Sequence, residues 1–155
     1  MLSAYKSTDT FATKIFIMKK NIFIISCLLL SFFFLQGQTR DYKVVFDLTS
    51  SDTMNHKAVI RWINEISKSN PDAELEVVFY GQSLDMVVKN KSVVAGDVTK
   101  FAANKNISFK VCEIAMKNHH IDKADLLQGV ETVPDGIYEI ITKQKEGWGY
   151  IKAIR

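Results

Sequence analysis

Cys112 is the residue in this chain with the most reactive side chain on offer. It stands within Ile107 to His120, read I-S-F-K-V-C-E-I-A-M-K-N-H-H. Apolar residues alternate at Ile107, Phe109 and Val111, then take helical spacing at Ile114, Ala115 and Met116. A period of about 2 giving way to about 3.6 marks a strand handing over to a helix. A thiol at that handover meets the free N–H groups and positive dipole end of a helix start, which favour the thiolate, the nucleophilic form of sulfur. Glu113 comes next. A carboxylate facing the sulfur opposes that ionisation, whereas one facing solvent favours the first helical turn.

Other side chains offer weaker chemistry. His119 and His120 are adjacent and so point in different directions, and no carboxylate stands at a ligand spacing such as H-E-x-x-H. They read as a solvated corner, and His56 as a residue on the polar side of a helix. No histidine-plus-acid set accompanies Cys112 as in a Cys-His hydrolase. Gly81-Gln82-Ser83 holds one glycine, and neither G-x-G-x-x-G nor G-x-x-x-x-G-K-[ST] occurs, so no phosphate-cradling loop is expected. Neither a metal nor a cofactor is expected.

The elements that must position Cys112 follow from the same periodicities. Tyr42–Leu48 is a first strand with a continuous apolar middle, and Thr49-Ser50-Ser51-Asp52 supplies turn residues and helix caps. Val59, Trp62, Ile63 and Ile66 then form the apolar stripe of a helix, stopped at Asn70-Pro71-Asp72. Leu75–Tyr80 is a second strand ending at Gly81, followed by a short helix carrying Leu84, Val87 and Val88 and another carrying Val94, Val98, Phe101 and Ala102. After the third strand and Cys112, Val130–Val133 is a fourth strand. Asp135 caps a helix with Ile137, Ile140 and Ile141 on one face, closed by Gly147. Trp148–Lys152 is a fifth strand, with Trp62 and Trp148 as core residues. Strands alternating with helices predict an α/β fold: a flavodoxin-like three-layer α/β/α sandwich around a mostly parallel five-stranded sheet, both faces covered, in the order 2-1-3-4-5. That order puts the ligand crevice at the carboxyl ends of strands 1 and 3, where Thr49, Ser50, Ser51 and Asp52 meet Cys112 and Glu113.

The beginning of the sequence has a different character. Met18-Lys19-Lys20-Asn21 precedes the apolar run Ile22–Leu35, and polar Gln36-Gly37-Gln38 follows. A basic n-region, an apolar stretch near the usual ~7–15 residues and a small-residue exit match a secretory signal peptide. A membrane anchor would need ~18 or more uninterrupted apolar residues, and Lys19 and Lys20 break the run. Cys27 is not followed by the polar linker expected after a lipidated cysteine. The expected organisation is therefore an upstream extension and signal peptide over 1–37, with the start at Met18 and cleavage near Gly37, and a single domain over 38–155. Export to a periplasm or the exterior follows, with membrane contact only through the signal peptide. That leader holds four of the 20 basic residues (Lys6, Lys14, Lys19, Lys20) and one of the 17 acids (Asp9), leaving 16 of each and no net charge. Nothing in such a balance points to nucleic acid. The leader also takes Cys27, so Cys112 remains as the lone thiol: a buried small hydrophobe, an intermolecular partner or a reactive group.

Several blocks have a familiar order. K-V-V-F-D-L-T-S (43–50), V-V-F-Y-G (77–81), the V-C strand end, A-D-L-L-x-G-V-E-x-V-P (124–134) and E-G-W-G-Y-I-K (146–152) together resemble the DsrE/DsrF family, which includes TusD-type sulfur-relay subunits. The resemblance implies a flavodoxin-like fold, a homo-oligomer and, for relay members, a cysteine at the end of the third strand that carries sulfur as a persulfide between a donor and an acceptor protein. Only Cys112 matches that position. It also implies a carrier, at most sulfurtransferase-like, rather than a turnover enzyme. The leader departs from the cytoplasmic relay proteins, so their tRNA-modification role is not carried over. The competing expectation is a non-catalytic module on the same fold that binds a small ligand or a protein and keeps Cys112 as a structural thiol.

Overall fold

The computed structural model describes residues 41–154, so the leader and Cys27 lie outside the described residues. Lys43–Leu48 forms β1, Thr53–Ser69 α1, Glu74–Phe79 β2, Ala95–Ala102 α2, Ile107–Cys112 β3, Glu113–Asn118 α3, Glu131–Val133 β4, Gly136–Lys145 α4 and Gly149–Lys152 β5. Short 3-10 turns occupy Ser83–Met86 and Lys123–Asp125. Helix α1 begins where the Asp52 carboxylate accepts the Met54 N–H at 2.8 Å and stops at Asn70, before the proline. Helix α4 starts on the Asp135 carboxylate, which accepts from the Ile137 and Tyr138 N–H groups. It ends in a Schellman turn at Gly147 (φ +88°), where the Gly147 N–H donates to Gln144 O and the Trp148 N–H to Lys143 O.

All four strand pairings are parallel, and the sheet order is β4-β3-β2-β1-β5. The α/β flavodoxin-like class is as expected, but the order 2-1-3-4-5 is not adopted. Strand β3 lies beside β2 instead of β1, and β5 takes the free side of β1. The physical reason lies in polar side chains that meet across each junction on one face of the sheet. Lys43 pairs with Glu74 at 2.9 Å between β1 and β2, and Ser108 donates to Glu76 at 2.9 Å between β3 and β2. Lys110 pairs with Glu131 between β3 and β4. Asp47, 4% exposed on β1, accepts from Tyr150 Oη at 2.6 Å and Lys152 Nζ at 2.9 Å on β5. A buried carboxylate without such partners is strongly disfavoured, so Asp47 selects β5 as the neighbour of β1.

The order also decides how the helices are shared between the faces. Three successive right-handed crossovers carry the chain one way across the sheet and place α1, α2 and α3 on one side. There Phe46, Leu48, Val77, Phe79, Phe109 and Val111 pack against Val59 and Ile63 of α1 and Val98 of α2. Trp62 stacks on Phe46 with ring centroids 6.1 Å apart, as a core residue. The return from β4 to β5 runs the other way and puts α4 alone on the opposite face. Its apolar seal is small: Val45, Val78 and Ile140, flanked by half-buried Tyr80 and Trp148. Both faces carry helices, as expected of a three-layer fold, but the expectation that Ile137, Ile140 and Ile141 share a buried face is corrected. Ile140 is buried, whereas Ile137 and Ile141 are 55% and 42% exposed.

Candidate functional site

Cys112 ends β3 and is the N-cap of α3, with extended backbone (φ −67°, ψ 119°). The alternation of β3 turns its side chain toward the α4 face, where Gly136, the first residue of α4, lies against it. A methyl group at position 136 would stand 3.1 Å from both Cys112 Cβ and Val78 Cγ1, so glycine lets α4 sit this close without displacing either side chain. Cys112 is 5% exposed and forms part of the wall of a crevice of about 250 Å³. Tyr80 and Gly81 supply one side of that crevice, Ala115, Asn118 and His119 of the α3 region another, and Asp135 and Ile137 the third.

The crevice sits at a reversal of chain direction, though not at the expected one. Strands β1, β2 and β3 lead to helices on one face and β4 leads to α4 on the other, so the reversal falls between β3 and β4, with Cys112 and Val133 paired across it. The strand-order correction therefore keeps Cys112 at the switch point but removes Thr49, Ser50, Ser51 and Asp52, which follow β1 with β2 in between. That loop has local bonds of its own. Thr49 O accepts the Gln82 N–H, Ser50 Oγ accepts the Asp52 N–H, and His56 Nε2 donates to Ser50 O at 2.9 Å. His56 is 2% exposed, a correction to its placement on a solvated helix face. Asp52→Ala is expected to lower stability by about 1 kcal/mol through loss of the cap, seen in urea denaturation, with no change in the labelling rate of Cys112.

Glu113 also faces away from the sulfur. Its carboxylate binds Lys123 Nζ at 2.8 Å and accepts from Thr132 Oγ1 at 2.7 Å. The Lys123 ammonium, and then the Thr132 hydroxyl, hold its carboxyl below the usual carboxylate range. His119 and His120 are both exposed, as expected of a solvated corner; His119, the C-cap of α3, also stands at the rim of the crevice, and His120 has φ +53°.

Tyr80, Asn118, Asp135 and Ile137 were not singled out as site residues from the sequence; only the strand end at Tyr80-Gly81 and the Pro134-Asp135 cap signalled that loops would converge there. Tyr80 also links the crevice to Asp47. Its ring lies 5.5 Å from Lys152 Nζ, and burial, then the Asp47 carboxylate, push its hydroxyl well above the ordinary tyrosine value. Tyr150 is pushed up to about 12 by its hydrogen bond to Asp47 and then by burial. Among the described residues no group of three or more His, Cys, Asp or Glu is placed to hold a metal ion, and no helix is long and apolar enough to cross a membrane.

The sequence profile described as the DsrE/DsrF-like family matches residues 43–153, from the first residue of β1 to the residue after β5. The chain belongs to this family. A solved structure similar to this DsrE/DsrF-like chain is that of MTH1491 from Methanobacterium thermoautotrophicum, described as a protein of unknown function. It is 28% identical, with a TM-score of 0.68, over 72% of this chain and 99% of that one. BT1422 from Bacteroides thetaiotaomicron, also described as of unknown function, is 12% identical with a TM-score of 0.61, over 76% and 99% of the two chains. The ychN protein of E. coli is 11% identical with a TM-score of 0.59, over 71% and 96%. The latter two share the fold. A comparison with curated proteins gives no match.

Proposed function

We propose that this DsrE/DsrF-like protein is an exported sulfur carrier that holds sulfane sulfur on Cys112. The observation that carries the reading is the position of Cys112 in the wall of the β3/β4 crevice, where it is the free cysteine of the described residues. The Cys112 thiolate attacks the outer sulfur of a donor persulfide R–S–SH, the donor S–S bond breaks, and the products are Cys112–S–SH and the thiolate R–S⁻. The step is redox-neutral, and its reverse onto an acceptor thiol completes the relay. Export rests on the Met18–Gly37 pattern, outside the described residues. N-terminal sequencing of the exported protein should find a start near Gln38. A homo-oligomer accords with exposed Ile137, Tyr138 and Ile141 on α4, and light scattering tests it.

Incubation of the mature protein with a low-molecular-weight persulfide is expected to add about 32 Da, one sulfur, in mass spectra. Cys112→Ser should abolish the adduct. If the native protein takes up no sulfur, the carrier reading fails. The 5% exposure of Cys112 favours a second reading, a binding module with a structural thiol. Labelling of Cys112 by a thiol reagent only after denaturation would select it.

A further inference from the structure

A second polar cluster lies beneath α4, away from the crevice mouth. Glu76 on β2 has a side chain only 3% exposed. Its Oε2 accepts from Ser108 Oγ, but its Oε1 is buried with no hydrogen-bond donor. Lys143 Nζ of α4 stands 3.8 Å from Glu76 Oε2 and 3.8 Å from Glu139 Oε1, and also reaches Glu146 at 3.7 Å. That ammonium rests 4.7 Å from the centroid of the Trp148 ring. The remaining charges facing the pair are engaged or more distant: Glu74 with Lys43 of β1, Lys110 of β3 with Glu131, and Lys105 at the rim of the same cavity of about 240 Å³. The cavity gives water, and therefore protons, a route to the cluster.

The buried Glu76 carboxyl beside this shared lysine has two arrangements. With a proton on Glu76, the Lys143 ammonium has Glu139 and Glu146 as its charged partners. With Glu76 ionised, a carboxylate shut away from water joins Glu139 and Glu146 around one ammonium, and the contact between α4 and the sheet becomes repulsive. The apolar seal under α4 is too small to make this irrelevant, since it comprises Val45, Val78 and Ile140. Glu139 lies one helical turn from Gly136, the residue seated on Cys112.

We propose that α4 is a proton-gated cover over Cys112: a proton on the buried Glu76 holds the helix on the sheet, and its release to solvent loosens the helix and exposes the thiol. The acidity of Glu76 falls in a useful range. Burial raises it most, Ser108 and Lys143 pull it down, and Glu139 raises it again, leaving it at about 7. The gate deepens the carrier reading, because sulfur transfer would then require the released state, and it rests on that reading for its purpose but not for its physics.

The test is the rate at which Cys112 of the full chain reacts with an uncharged thiol reagent from pH 5.5 to 8.5, resolved by peptide mass spectrometry to separate it from Cys27. The ionisation of Cys112 itself is common to wild type and variants, so ratios at each pH report the gate. Glu76→Gln should match wild type at the acidic end and react several-fold more slowly at the alkaline end. Lys143→Met should react several-fold faster than wild type at the alkaline end. Hydrogen exchange of residues 136–145 in the wild-type protein, corrected for intrinsic rates, should quicken above neutral pH, a readout that needs no variant to fold. Constant ratios across the range, unchanged exchange, or no labelling of the native chain at any pH overturns the gate. Failure of the carrier reading is separate, and appears as absence of the persulfide adduct while the labelling ratios still diverge.

Discussion

Lys152→Met is expected to lower the free energy of unfolding by about 2 to 3 kcal/mol, and Asp47→Asn by clearly less. The asymmetry follows from burial. Asp47 has a side chain 6% exposed and depends on Lys152, 35% exposed, and on the Tyr150 hydroxyl. Removing the lysine strands a carboxylate in the sheet with one neutral donor. Removing the charge of Asp47 leaves an ammonium that can turn to water. Breaking a fully buried pair typically costs ~3–5 kcal/mol, reduced here because the lysine is partly solvated. Urea denaturation near neutral pH should give a lower midpoint for Lys152→Met than for Asp47→Asn, with similar slopes. The reverse ranking would show that Asp47 does not depend on β5 for its burial.

The second expectation concerns pH and has the opposite sign. Glu76 is an acid whose folded value, about 7, lies above its ordinary value of 4.5, so the folded state binds more protons than the unfolded state between those limits. Stability must then fall as pH rises through that window. Below about 4.5 both states carry the proton and the deficit vanishes; above about 7 it is complete, at roughly 3 kcal/mol for a shift of this size. Glu76→Gln carries no such deficit. It should therefore be more stable than wild type by about 2 to 3 kcal/mol at pH 8 and indistinguishable near pH 4.5. Denaturation at the two pH values checks this, and a Glu76→Gln variant less stable than wild type at pH 8 would refute it.

The elements of this chain were legible because each announces itself locally. Period-two strands and period-3.6 helices, with Asp52, Pro71, Asp135 and Gly147 as punctuation, place the five strands and main helices within a residue or two. The order of the strands was not, since it depends on which strand answers which. Lys43, Asp47, Glu76, Ser108, Lys110 and Lys152 occupy alternate strand positions whose significance emerges only with their partners across the sheet. Reading β1 from its apolar middle gave no weight to Asp47, and with it to the preference for β5. The same oversight moved Thr49–Asp52 into the crevice and left Tyr80 and Asp135 out. Cys112 still lies beside a reversal of chain direction, because the end of β3 is a reversal point in the observed order too. His56 was misplaced for a related reason: helical spacing gives the face of a residue but not which loop folds back onto that face.

The pairing of β1 with β5 also sets a schedule for folding. Asp47 and its partners are 103 and 105 residues apart in sequence, while β1, β2 and β3 meet through successive local crossovers. Contacts that far apart form late, because the loop between them must close first. During synthesis, β1 through β4 can assemble with Asp47 still lacking its donors from β5, and the sheet gains its native edge only when residues 149–152 leave the ribosome. Until then the nascent chain keeps an open strand beside a buried charge, and the commitment to a stable native structure waits for the end of translation of this domain.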